Sequence, residues 1–187
     1  MARRPRRGYK GGLNSFGLVC RVRVCAVVLV AVAGCAESSP PSGYTSNRDK
    51  FRVAFPSDPR VIDQPTGGIP SRLHTAEDAN GAYTVRVIEL PLEPDAVAAE
   101  SDKLLDEAQA DLIRSVGGTL VKSGPATLAG AYPGRAFLAT IPERGALLRA
   151  RIYLVGTRAY KVSVFGKEEF ASSDTATAFL DSFMVQE

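Results

Sequence analysis

Residues 147–165 read LLRARIYLVGTRAYKVSVF, and this stretch decides the fold. Between Leu148 and Leu154 every second residue is apolar, which is the period of a strand with one face against a core. Gly156-Thr157-Arg158 supplies a turn, and residues 160–165 resume a strand pattern. Because so short a turn joins antiparallel neighbours, the stretch predicts two consecutive strands of an antiparallel sheet. Three residues are predicted to point away from the core: Arg149, Arg151 and Tyr153.

Further strands are predicted on both sides of this stretch, each bounded by turn residues. They cover residues 51–55, 60–64, 71–77, 82–90, 119–123 and 135–141. Asp78-Ala79-Asn80-Gly81 indicates a hairpin, since Asn-Gly accepts the positive φ of tight hairpin turns.

Two helices complete the pattern. One is predicted over residues 95–116, with an apolar stripe at helical spacing and Gly117-Gly118 as its stop. A second follows Ser172 or Ser173 as N-cap, and its inner stripe is Ala176, Phe179, Leu180 and Phe183. No strand–helix–strand alternation recurs, so we expect an α+β fold. In it an antiparallel sheet of about six to seven strands carries the long helix and the C-terminal helix on its faces.

The first 34 residues are organised as a bacterial export signal. Seven Lys and Arg and no acid lie within residues 1–23, and residues 24–33 are small or apolar. A run of that length is too short for a transmembrane helix, which needs about 20 residues. Val32-Ala33-Gly34-Cys35 resembles a lipobox, and this resemblance implies cleavage before Cys35 and acylation of its thiol. Arg6-Arg7 leaves open whether export uses the Sec or the twin-arginine route.

These features predict three segments: a lipoprotein signal peptide over 1–34, Cys35 with a flexible Ser/Pro-rich tether to residue 50, and one domain over 51–187. The predicted location is the extracytoplasmic side of a bacterial membrane, to which the lipid on Cys35 anchors the protein. Resemblance to lipoprotein sorting signals favours the outer membrane, because Ala36 rather than Asp follows the cysteine.

The net positive charge of the whole chain comes from the predicted signal peptide. The whole chain carries +3, but residues 35–187 hold 16 basic and 20 acidic residues, a formal charge of −4. A nucleic-acid partner is therefore not expected, since phosphate binding needs a basic surface on the folded domain. Cys20, Cys25 and Cys35 are the only cysteines, so the domain has no internal disulfide.

Several blocks resemble domains of the PsbP-like (Mog/PsbP-type) fold. They are Phe51-Arg-Val-Ala-Phe-Pro-Ser-Asp-Pro59, Leu105-Asp106 with Val116-Gly117-Gly118, Ala150-Arg-Ile-Tyr-Leu-Val-Gly156, Tyr160-Lys-Val and Phe179-Leu-Asp-Ser-Phe183. The resemblance is to bacterial envelope lipoproteins and covers residues 51–185. It implies an antiparallel sheet sandwiched by helices and a non-catalytic role. The best-known members assist the oxygen-evolving side of a photosystem or bind a small nuclear GTPase.

The sequence indicates no catalytic constellation. His74 is the single histidine, and the sequence contains no Gly-x-Ser-x-Gly nucleophile elbow. We therefore expect His74 to be a surface or half-buried strand residue. We predict no catalytic residue, no metal site and no cofactor.

One surface is a candidate for binding. Arg149, Arg151 and Lys161 are predicted to form a basic stripe that docks an acidic partner or lipid headgroups. The alternatives are an ordinary solvated sheet face, or arginines that pair with Asp and Glu of a covering helix. The expected function is a non-enzymatic, membrane-anchored envelope lipoprotein that binds a protein partner or assists an assembly. The alternative is a protein that binds a small ligand or metal in a groove between sheet and helices.

Overall fold

The computed structural model describes residues 43–65 and 67–186, which form an α+β structure. The strands are β1 (Tyr44–Ser46), β2 (Phe51–Val53), β3 (Arg60–Asp63), β4 (Ser71–Glu77), β5 (Gly81–Glu89), β6 (Thr119–Leu128), β7 (Tyr132–Ile141), β8 (Ala146–Val155), β9 (Arg158–Gly166) and β10 (Met184–Val185). The helices are α1 (Pro94–Ala99), α2 (Ser101–Ser115), α3 (Glu168–Ala171) and α4 (Asp174–Asp181), and a 3₁₀ turn covers Pro142–Arg144. None of these helices has the length and hydrophobicity of a transmembrane span.

The strands form two antiparallel sheets. The large sheet has seven strands in the order β3-β4-β5-β9-β8-β7-β6, and the small sheet has the order β1-β2-β10. Gly145 and Gly156 adopt positive φ in the two turns that flank β8, which is why these turns are so short. The predicted fold class, a six- to seven-stranded antiparallel sheet with helices on its faces, is confirmed.

Both faces of the large sheet are buried. On one face Leu148, Ile152 and Leu154 pack with Val97 of α1 and Leu105 of α2. On the other face β5 and β9 pack with α4 and the small sheet, through Val85, Val87, Tyr160, Val162, Phe51 and Phe179. Because both clusters consist of residues between Tyr44 and Val185, this part of the chain contains its own core and is long enough to fold alone.

The prediction that Tyr153 points away from the core was wrong. The side chain is buried because the segment after α4 covers this face of β8. Its ring stacks on that of Phe183, with centroids 5.9 Å apart and planes within 4°. Alternation within β8 was read correctly, but the sheet has two covered faces rather than one.

The folded domain begins earlier than predicted. Residues 44–50 were assigned to the tether, but β1 pairs with β2 in register, with Tyr44 opposite Val53 and Ser46 opposite Phe51. Ser46 and Asp49 are buried. The strand was not predicted because its sequence is rich in serine and lacks a periodic pattern of aliphatic residues. Its contacts are polar and aromatic instead.

The long helix is interrupted. Residues 95–116 were predicted as one helix, whereas Glu100 adopts φ −106° and ψ 16° between α1 and α2. In one straight helix Val97 and Leu105 would differ by about 80° around the axis. The break allows both side chains to enter the same apolar cluster.

Strand β6 is longer than predicted. It continues to Leu128 through Gly124-Pro125, which reads as a turn in the sequence. A proline is tolerated here because β6 lies at the edge of the large sheet.

Candidate functional site

A cavity of about 810 Å³ opens between α2 and the large sheet. Its size lies in the range of small-molecule sites, about 300–1,000 Å³. Most of its lining is apolar and includes Ile69, Ile88, Leu90, Leu104, Leu112 and Leu154. We call this cavity the groove.

Local sequence patterns position the walls of the groove. Leu104, Ala108 and Leu112 recur every four residues, so they form one stripe of α2 that faces the sheet. On the opposite wall β5 alternates: Arg86 and Ile88 point toward α2, while Val85 and Val87 enter the core on the other face.

Two basic residues form the floor of the groove. Arg86 on β5 and Lys161 on β9 lie directly opposite each other in the sheet register, and both line the cavity. Arg86 donates a hydrogen bond of 2.8 Å from Nη2 to Oε1 of Gln64. The ammonium group of Lys161 makes no hydrogen bond or ion pair within the described residues; its charge interacts with Asp111 and Arg86 at longer range.

The floor residues are partly buried. Burial lowers the pKa of Lys161, the nearby Arg86 lowers it further, and Asp111 opposes both effects. Burial likewise lowers the pKa of Arg86. The groove therefore combines apolar walls with two neighbouring basic side chains that are partly desolvated.

A second cluster of polar side chains surrounds His74. His74 is 1% exposed, and its Nε2 lies 2.8 Å from Oδ2 of Asp49. Arg72 forms an ion pair with the other carboxylate oxygen, and Ser46 donates a hydrogen bond of 3.0 Å to Oδ2. Tyr44 lies with its hydroxyl 3.1 Å from Nδ1 of His74.

This cluster differs from the prediction that His74 is a surface or half-buried residue. Burial lowers the pKa of His74, more strongly than Asp49 raises it. Burial raises the pKa of Asp49, but hydrogen bonds from Arg72, His74 and Ser46 outweigh it and hold that pKa below its usual value. The carboxylate of Asp49 is bonded to three side chains and is not free to react. The cluster therefore connects β1 and the following turn to β4.

Comparison with solved structures finds chains of similar fold. The fold resembles that of cyanobacterial PsbP. One of these similar structures is the solution structure of cyanobacterial PsbP (CyanoP) from Synechocystis sp. PCC 6803, with a TM-score of 0.49 and 13% sequence identity. The match covers 84% of this chain and 98% of that chain. No protein-family model matches the sequence, and no curated protein matches it.

The predicted basic stripe does not exist as one surface. Arg149 and Arg151 lie on the face of β8 that α4 covers, whereas Lys161 pairs with Ile152 and therefore faces the groove. Arg149 donates to the carbonyl oxygen of Ala171 at 2.9 Å, and Arg151 donates to that of Leu180 at 3.0 Å. The alternative, pairing with a covering helix, is correct for Arg151, which also forms an ion pair with Asp181.

The remaining site predictions concern metals and lipid. In the part of the chain that the structure describes, no three His, Cys, Asp or Glu side chains converge as metal ligands. Cys35 and the signal segment lie outside the described residues. The sequence did not single out Arg86, whose importance depends on its neighbour across the sheet.

Proposed function

We propose that this protein is an exported, lipid-anchored, non-enzymatic binding protein that holds a small, largely apolar ligand in the groove. The single observation that carries the proposal is a preformed cavity of about 810 Å³ with apolar walls and a few convergent polar groups. Cavities of this kind are the usual sites of small-molecule binding.

The groove favours the small-ligand alternative over partner docking. Docking was expected on three basic residues, of which Arg149 and Arg151 bond to the chain segments that cover them. The groove, in contrast, exposes leucine and isoleucine side chains of two facing walls to the same space. Contact between these apolar side chains and water is unfavourable, and an apolar ligand that displaces the water gains free energy.

Ligand binding is tested with a soluble form, residues 36–187, whose cooperative thermal unfolding first establishes that it is folded. Native mass spectrometry after incubation with a bacterial envelope extract should detect bound small molecules, and added ligand should raise the melting temperature. To locate binding, Ala108→Phe fills the groove, and Ala110→Phe is a matched control on the exposed side of the same helix. If the extract and a library of apolar compounds give neither a bound mass nor a shift, the proposal fails. Capture of a protein instead would favour the assembly function.

Anchoring is tested separately with the full chain. Wild-type protein should sediment with membranes and shift in mass when globomycin blocks lipoprotein processing, whereas Cys35→Ser should not be lipidated. Cys25→Ser is the matched control, because that residue leaves with the signal. Membrane association and mass that are the same in Cys35→Ser and in the wild type would contradict the lipid anchor.

A further inference from the structure

We infer that the ligand of the groove is an amphiphile with one anionic head group, bound at the floor by Arg86 and Lys161, and one apolar chain along the walls. This inference rests on the proposed function and specifies the ligand's chemistry. The head group is a carboxylate or a phosphate, which share the charge and acceptor oxygens that these two cations recognise.

The first argument is the register of the sheet. Arg86 and Lys161 are direct cross-strand neighbours on the two central strands β5 and β9. Like charges directly opposite one another destabilise a sheet. An anion between the two side chains would interact favourably with both of them and offset their mutual repulsion. The pair is therefore more favourable when the groove holds an anionic ligand than when it is empty.

The second argument is that the two floor residues have few hydrogen-bond and ion-pair partners. The guanidinium of Arg86 donates to one neutral amide, that of Gln64, and Lys161 has no hydrogen-bond partner within residues 43–65 and 67–186. Two acids of α2 face the same space, Glu107 and Asp111. Asp111 already forms an ion pair of 2.7 Å with Arg114 at the solvent-exposed side of the helix. The lining as a whole carries three basic groups, those of Arg86, Lys161 and Arg114, against the two acids, and its floor keeps unused N–H donors.

The third argument is the contrast between floor and walls. Around the two cations the cavity is lined by aliphatic residues such as Ile88, Leu104 and Leu154. A small inorganic anion would satisfy the floor and leave these walls in contact with water. A neutral hydrocarbon would cover the walls but remove water from the two basic side chains without offering them an acceptor, at a desolvation cost. Only a molecule with both parts complements the whole groove.

The test compares four ligands with the same ten-carbon chain: decanoate, decyl phosphate, decanol and decyltrimethylammonium. Their affinities for the soluble form are measured by displacement of a fluorescent fatty-acid probe and checked by titration calorimetry. We expect at least one anion to bind tenfold or more tightly than decanol, which is the size of a charge-assisted contact. The cation should bind most weakly. A tighter complex with decyl phosphate assigns a phosphate head, and one with decanoate assigns a carboxylate.

Substitutions identify the residues responsible. Lys161→Met and Arg86→Gln should each weaken binding of the preferred anion about tenfold and leave decanol binding unchanged or improved. Lys122→Met and Arg60→Gln are matched controls on exposed strand residues and should change neither affinity. Raising the salt concentration should weaken anion binding in the wild type and should weaken it less in the Lys161→Met variant, which keeps only Arg86 at the floor.

The outcomes separate the two proposals. If decanol and decyltrimethylammonium bind as tightly as both anions, the groove binds ligands but the inference about the head group is wrong. The same conclusion follows if neither floor substitution changes anion binding. If none of the four compounds binds the folded wild-type protein, the inference fails, and the extract and library experiment decides separately whether the groove has another ligand.

Discussion

Replacing Asp49 by alanine should destabilise the domain strongly. Its carboxylate accepts hydrogen bonds or ion pairs from Ser46, Arg72 and His74, and its side chain is only 4% exposed. Removing one partner of a buried charged network leaves the others unpaired and costs about 3–5 kcal/mol. The cost is expected to be near the lower value because Arg72 keeps its ion pair with Asp63, whereas His74, which is 1% exposed, loses the partner of its Nε2.

Urea unfolding followed by circular dichroism measures this loss. With a slope of about 1–3 kcal/mol per M, the midpoint should fall by at least about 1 M. Arg48→Ala, in the same turn but exposed, is the control and should change stability by less than about 0.5 kcal/mol. A loss below about 1 kcal/mol in Asp49→Ala, with an unchanged slope, would show that residues 44–50 lie outside the cooperative fold and refute the reasoning.

Three further predictions concern stability. Because burial lowers the pKa of His74 below 6.5, stability should decline as the pH falls through 6.5 toward the folded-state value, by at most about 1.4 kcal/mol per pH unit. Urea titrations at pH 7 and pH 5 should show that His74→Gln lacks this decline. In thermal melts without ligand, Lys161→Met should be more stable than wild type by about 0.2–1 kcal/mol, since burial and the neighbouring Arg86 together disfavour the ammonium group more than Asp111 stabilises it; a lower melting temperature would contradict this. In Gly134→Ala the new Cβ would lie 2.5 Å from the Tyr153 ring and cost about 1–3 kcal/mol. Gly124→Ala meets nothing within 4 Å and should not be destabilised in the same melts.

The elements that depend on local patterns were predictable from the sequence. Alternation located most strands, and helical spacing identified the buried side of α4 through Ala176, Phe179 and Leu180. Ser173 caps that helix as expected, accepting a hydrogen bond from the backbone N–H of Ala176. These features follow from the chemistry of neighbouring residues, which a single sequence contains.

Features that depend on distant partners were not predictable. The hairpin at Asn80-Gly81 was correct, but Gly81 is required for another reason. A Cβ there would lie 2.2 Å from the carbonyl oxygen of Phe165, and its φ is not positive. This constraint arises from β9, which is remote in the sequence.

The groove depends on register in the same way. Lys161 was grouped with Arg149 and Arg151, but the pairing of Arg151 with Val162 places Lys161 on the opposite face. Only the order of β5 and β9 brings it beside Arg86. Likewise, His74 is buried by Asp49, which lies in a segment without apolar periodicity. Alternation shows which residues of one strand share a face. It does not show which residues of two different strands lie on the same face of the sheet.

If Cys35 carries the proposed lipid, the early strand β1 shortens the segment that joins the folded domain to the bilayer. Were Phe51 the first ordered residue, 15 residues would follow the proposed lipid on Cys35, reaching about 47 Å when extended. With Tyr44 already hydrogen-bonded in β1, eight residues remain, or about 25 Å. The domain would then remain within about its own diameter of the lipid surface, where amphiphiles leaving the bilayer have only a short distance to travel.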